Sequence, residues 1–222
     1  MRCRYCHNPD TWRMGESANQ QMVSVGDLLD KAERYRDYWG PDGGITVSGG
    51  EALLQLDFLT ELFAEAKRRG INTCLDTAAQ PFSRKEPFFS KFVRLMQFTD
   101  TILLDIKHID DEAHRQLTGH GNQGILDCAL YLSEIGKPVW IRHVLVPTVT
   151  DDDGQLQRLN SFLRGLNNIE RVEVLPYHTL GTFKWKQLGI PYTLEDVKSP
   201  TQERVANAER ILREGIRFID RP

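Results

Sequence analysis

Residues 44–51 read Gly44-Ile45-Thr46-Val47-Ser48-Gly49-Gly50-Glu51. A short β-branched run ends in two glycines and a carboxylate, the pattern of a buried parallel strand that turns at its carboxyl end. Similar short runs, bounded by Gly, Pro or charge, recur at residues 72–76, 101–106, 138–146 and 171–176. Amphipathic stretches separate them and predict helices over 25–39, 57–69, 84–97, 124–135, 152–166 and 201–214. Ser24 suits the first of these as an N-cap, Gly70 suits the end of the second, and Asp151-Asp152-Asp153 suits the start of the fifth. Residues 216–219 read as a sixth short strand or a tail. Repeated strand-then-helix units predict an α/β fold around a parallel sheet, barrel-like or open, in one domain over 1–222. No strand candidate precedes Cys3, so the first loop is expected to be a tail or to follow a strand that has been lost.

Composition narrows the function. Among 222 residues, 31 acidic and 28 basic side chains leave a formal charge of -3, which gives no footprint for nucleic acid or an anionic membrane. No apolar run has the length of a membrane span, and the first residues are too polar for a signal peptide. A cytoplasmic protein is expected, with its four cysteines reduced. Cys74 and Cys128 sit among apolar residues and read as small buried hydrophobes. Cys3 and Cys6 are two residues apart from each other, a spacing that lets both thiolates converge on one metal or cluster.

In parallel α/β folds reactive groups collect at the carboxyl ends of the strands. Those ends carry Gly49-Gly50-Glu51, Asp76-Thr77, Asp105 with Lys107, Arg142, and Tyr177-His178. The paired glycines allow backbone to approach a ligand closely, or simply serve a tight turn. Asp105 and Lys107 share one strand face and pair either with each other or with a ligand. His178 reads as a site residue or as a loop histidine satisfied by backbone. His108, His114 and His120 lie among polar neighbours and are expected on the surface. Phe88, Phe89 and Phe92 fit the core face of a helix, and Phe183-Lys184-Trp185 fits a surface or a groove.

The opening stretch, Cys3-Arg4-Tyr5-Cys6-His7-Asn8-Pro9 with Thr11-Trp12, resembles the end of the Cys-x3-Cys-x2-Cys loop of the radical S-adenosylmethionine superfamily. More narrowly it is similar to the pyruvate formate-lyase activating enzymes. The likeness continues through Ser48-Gly49-Gly50-Glu51-Ala52, Cys74-Leu75-Asp76-Thr77, Leu104-Asp105-Ile106-Lys107, Trp140-Ile141-Arg142 and Leu175-Pro176-Tyr177-His178 with Lys184-Trp185. The resemblance implies a partial (β/α)6 TIM-like barrel, here without its first strand, holding a 4Fe–4S cluster at its mouth. It implies reductive cleavage of S-adenosyl-L-methionine and abstraction of a hydrogen atom from a backbone glycine of a partner, pyruvate formate-lyase. It makes Cys3 and Cys6 cluster ligands and assigns Gly49, Gly50 and Glu51 to the methionyl amino group. Asp76, Lys107 and His178 would contact S-adenosylmethionine, Asn8 would lie near the cluster, and Arg142 would join the polar network. Asp76, Thr77 and Asp105 resemble a monovalent-cation site. A flavodoxin or ferredoxin would donate the electron, and a monomer is expected.

The family's first motif cysteine belongs four residues before Cys3, and the chain starts two residues before it. Three readings stay open at this point. The chain is an activase of pyruvate formate-lyase or of a different glycyl-radical enzyme, or it is a defective fragment that docks the partner without catalysing, or Cys3, Cys6 and His7 hold zinc. Adjacent Cys6 and His7 would have difficulty reaching one ion, and no second ligand pair has suitable spacing.

Overall fold

The computed structural model describes residues 1–12, 21–41 and 43–220. Five parallel strands lie side by side in chain order: β1 Gly44–Val47, β2 Asn72–Thr77, β3 Thr101–Asp105, β4 Val139–Leu145 and β5 Ile169–Pro176. Side chains alternate across each strand, so one set meets the helices and the other lines the concave face. On β2, Thr73, Leu75 and Thr77 are buried, while Asn72, Cys74 and Asp76 are half-buried on the opposite face. On β4, Val139, Ile141, His143 and Leu145 are buried, with Trp140, Arg142 and Val144 between them. The register places Asp105 opposite Arg142 across the β3–β4 pair.

The helices are α1 Val25–Glu33, α2 Leu56–Arg68, α3 Phe88–Met96, α4 Asp111–Thr118, α5 Gln123–Glu134, α6 Asp153–Leu163, α7 Thr182–Gln187 and α8 Gln202–Arg213. Ser24 and Asp152 accept the first-turn amides of α1 and α6, as their sequences predict. Gly70 follows α2 with φ +68° and donates its amide to the Lys67 carbonyl. Leu59, Phe63, Leu75, Leu104, Leu132, Ile141 and Val172 are almost fully buried between helices and sheet. Each such side chain contributes roughly 1.5–3 kcal/mol by leaving water.

Several expectations change. The first predicted helix stops at Glu33, and a 3-10 turn at Arg36–Tyr38 takes up its remainder. The third starts at Phe88 because Pro87 ends the preceding loop. Residues 216–219 form no strand, although the Ile219 amide donates to the Ile169 carbonyl at the start of β5. His108 and His114 are buried, not solvated. The His108 ring accepts the Asp110 amide at 3.0 Å, and His114 Nδ1 lies 2.6 Å from the His120 carbonyl. Cys128 is buried as expected, but Cys74 is only half so, because it points into the concave face beside Leu103 and Trp140. No helix among the described residues is long and apolar enough to cross a membrane.

Candidate active site

A cavity of about 1070 Å³ opens at the carboxyl ends of the strands. Cys3, Cys6, Asn8, Gly49, Gly50, Glu51, Asp76, Thr77, Asp105, Lys107, Arg142 and His178 all line it. Every site residue picked out in the sequence is thus brought to one place. Tyr5, His7, Thr11, Trp12 and the Thr118-Gly119-His120 turn line it too. The Thr118–His120 turn was not foreseen, since it ends a helix that the sequence pattern did not mark.

Its polar floor is built by β2, β3 and β4. Arg142 donates Nε to Asp105 Oδ1 at 3.0 Å and Nη2 to Asp76 Oδ1. Lys107 Nζ donates to the other Asp105 oxygen at 3.0 Å. Burial pushes the Asp105 carboxyl up, but Lys107 and Arg142 outweigh it and hold its pKa below the usual range. Asp76 goes the other way, because burial there dominates the pull of Arg142. Burial also disfavours the Lys107 charge, yet Tyr5, Asp105 and Cys3 around it keep its pKa well above an ordinary lysine's. Its ammonium sits over the Tyr5 ring, 5.7 Å from the centre. The Cys3 thiol is pushed up chiefly by burial and only partly relieved by Lys107.

The rim beside β1 is a braced turn. Glu51 accepts the Leu53 amide at 3.2 Å and the Thr77 hydroxyl on one oxygen, and the Ala78 amide at 3.1 Å on the other. The Glu51 side chain therefore holds the turn, and the Gly49-Gly50 backbone is what faces the cavity. Gly49 has φ +153°, which side-chain-bearing residues rarely adopt, whereas a side chain at Gly50 would come within 3.0 Å of the Thr11 hydroxyl.

The cysteine loop lies across the strand ends. Arg2 and Arg4 donate their amides to the Thr118 and Leu117 carbonyls at the end of α4, at 2.9 and 3.0 Å. Those carbonyls have no partner within a helix terminus, and the loop supplies one. On the other side, Trp185 of α7 donates its indole N–H to the Cys6 carbonyl at 2.8 Å. The His7 and His178 rings lie against each other at a tilt of 35°, with centres 4.1 Å apart. Phe183 is exposed while Trp185 is buried, so the 183–185 stretch serves both surface and groove.

Comparison with known proteins agrees with this geometry. The model of the Radical SAM superfamily matches residues 1–159. The pyruvate formate-lyase-activating enzyme of Streptococcus mutans is 54% identical over 212 residues, covering 96% of this chain and 80% of that protein. That of Staphylococcus aureus is 50% identical over 211 residues, covering 95% and 83%. Two solved structures share the fold: a domain of a pyruvate formate-lyase-activating enzyme from Bacteroides vulgatus (TM-score 0.64, 24% identity, 80% of this chain and 98% of that one) and a radical SAM methyltransferase from Sphaerobacter thermophilus (0.68, 21%, 99% and 62%). The fold is therefore that of a partial TIM-like barrel, and the chain belongs to the pyruvate formate-lyase-activating enzymes of the radical SAM superfamily.

Proposed function

We propose that this chain activates a glycyl-radical enzyme, pyruvate formate-lyase by the naming of its relatives, using a 4Fe–4S cluster and S-adenosylmethionine. The observation that carries this reading is the convergence of two thiols, an ammonium, an imidazole and a glycine turn on one cavity. When bound, the cluster and S-adenosylmethionine supply the electron and the radical chemistry.

The residues present fit S-adenosylmethionine. Lys107 offers an ammonium to its carboxylate, the Gly49-Gly50 backbone meets its amino end, and Asp76 and His178 complete the contacts. Asn8, tied to Lys184 at 2.6 Å, stands beside the thiols. Cys3 and Cys6 supply two thiolates, and a cluster that keeps one iron for S-adenosylmethionine takes three. Cys74 and Cys128 do not line this cavity, so Cys3 and Cys6 are the two thiols that reach it among the described residues. A monovalent cation at Asp76, Thr77 and Asp105 is left out of this reading. Both Asp105 oxygens already take Arg142 and Lys107, which supply positive charge there. Arg142 fixes the two carboxylates, and the closely packed loop limits water at the reacting end.

We place the protein in the reducing cytoplasm, where its cysteines stay as thiols, with a small reduced electron carrier such as flavodoxin or ferredoxin as donor. The test is anaerobic reconstitution with iron and sulfide, with and without an upstream extension carrying a cysteine four residues before Cys3. The extended form should make 5′-deoxyadenosine and raise a glycyl-radical signal on pyruvate formate-lyase. Failure of the extended form on both counts overturns the reading. Activity confined to the extended form leaves the chain as it stands without catalysis.

A further inference from the structure

The cysteine loop is gripped from the far end of the chain. Residues 178–192 make a series of contacts with residues 6–12. Besides the Trp185 bond to the Cys6 carbonyl, Lys184 Nζ reaches Asn8 Oδ1 at 2.6 Å and Asp10 Oδ1 at 3.4 Å. His7 Nε2 lies 3.3 Å from the His178 carbonyl. Trp12 meets the Trp185 ring edge-on with centres 4.9 Å apart, and Tyr192 does the same from another side at 5.0 Å. Trp185 is only 4% exposed, so its N–H has no solvent to fall back on.

Gly181 makes this approach feasible. Its φ of -89° is open to any residue. A β-carbon there would nevertheless lie 2.8 Å from His7 Cα and 3.0 Å from the His7 carbonyl oxygen. Both atoms are backbone, so relief requires the loop itself to move.

We propose that Trp185 is a positioning residue for the metal-binding loop. Its indole N–H fixes the Cys6 carbonyl, and Gly181 leaves the space that lets the two segments close, so that Cys6 is held facing the cavity before iron arrives. A peptide carbonyl held at one end of a residue restricts the rotation that would carry its thiol away. This proposal rests on the assignment of Cys6 as a cluster ligand, but the arrangement it describes belongs to the metal-free protein.

The test uses the full chain without metal. Trp185→Phe removes the N–H and keeps an aromatic ring among Trp12 and Tyr192. Gly181→Ala perturbs the same junction without touching Trp185. Two quantities are read: the alkylation rate of Cys6 relative to Cys3 by a small thiol reagent, and amide exchange across residues 3–12. Loss of one buried hydrogen bond should speed both by about fivefold to tenfold in Trp185→Phe. Gly181→Ala should do the same, while Phe183→Ala, changing an exposed neighbour, should leave both as they were.

Cys6 reactivity equal to that of the unaltered protein in both junction variants would overturn the proposal. So would a fall in melting temperature with the Cys6-to-Cys3 ratio unchanged, since that is packing alone. If Trp185→Phe does not fold, Gly181→Ala decides by the same readouts. Iron uptake is measured separately on the extended protein. If the unaltered form binds no iron while the variants still free Cys6, the positioning role stands and the cluster assignment fails.

Discussion

Arg142 on β4 reaches over β3 to bring its Nη2 against Oδ1 of Asp76 on β2. On the way its Nε bonds Asp105, so one guanidinium ties three neighbouring strands together at their carboxyl ends. The arrangement explains how two carboxylates coexist on the floor of a partly enclosed cavity, where unpaired charges are costly.

Arg142→Met should therefore leave Asp76 and Asp105 facing each other with Lys107 alone between them. Side chains here are about a fifth exposed, so the cost falls below that of a fully buried pair, at about 2–3 kcal/mol. For a chain of this size the melting temperature should drop by roughly 5–10 °C. S-adenosylmethionine binding should weaken in parallel. Thermal melting and equilibrium binding check this, and a variant with unaltered melting would refute it.

Two adjacent glycines should fail for different reasons. Gly49→Ala meets no neighbouring atom but must hold φ +153°, a strain of about 1–3 kcal/mol that appears as lowered melting temperature. Gly50→Ala has ordinary backbone freedom but presses on Thr11. It should keep near-normal melting while weakening S-adenosylmethionine binding by about tenfold or more, because the turn faces the cavity. Equal stability losses in the two variants would contradict this assignment.

Asp100 joins β2 to the loop before β3. It accepts the Thr73 amide at 2.9 Å and both hydrogen bonds of Lys67, at 2.7 and 2.9 Å. Burial pushes its pKa up, but Lys67 and Thr73 outweigh it and set it below the usual value. A depressed folded pKa means a contribution complete above the unfolded value of 3.8 and lost as pH falls through the lower folded value. Asp100→Asn should lower melting by roughly 3–6 °C at neutral pH, from about 1–2 kcal/mol. It should also flatten the acid limb of the stability curve from 3.8 down to the folded value, as melting across pH would record.

The buried histidines give a milder acid sensitivity. Burial lowers the pKa of His108 and His114 from the ordinary 6.5. His108 accepts an amide on Nδ1, a bond that protonation removes. Stability from these neutral rings is present above 6.5 and falls as pH drops through their folded values. His108→Asn, which keeps a side-chain acceptor without titrating, should make melting less dependent on pH as it falls below 6.5. A curve that superimposes on the unaltered protein's would count against it.

Much of this site is legible in the sequence because strand ends announce themselves. Asp76, Lys107 and His178 stand at or just past the ends of β-branched runs, Arg142 lies within one, and parallel topology then brings these residues together. What stays hidden is the support. Helix α4, Asp111–Thr118, is mostly polar, and α7, Thr182–Gln187, is a bare six residues, so neither shows a strong apolar repeat. Yet α4 receives the Arg2 and Arg4 amides and α7 holds Cys6. The histidines mislead for a related reason. Polar neighbours in sequence say nothing of the backbone carbonyls and amides that a fold can turn toward an imidazole.

The loop over residues 2–12 also has a history within each molecule. It touches the end of α4, the residues of α7 and the turn after β1, and its bond from Trp185 to Cys6 joins positions 179 residues apart. Contacts of such separation are slow to form, because the intervening chain must be ordered first. During synthesis Cys6 therefore precedes by far the helix that holds its carbonyl, and it can be seated only once α7 has emerged. The seat of the loop is consequently completed late in folding, by tertiary closure and not by local sequence.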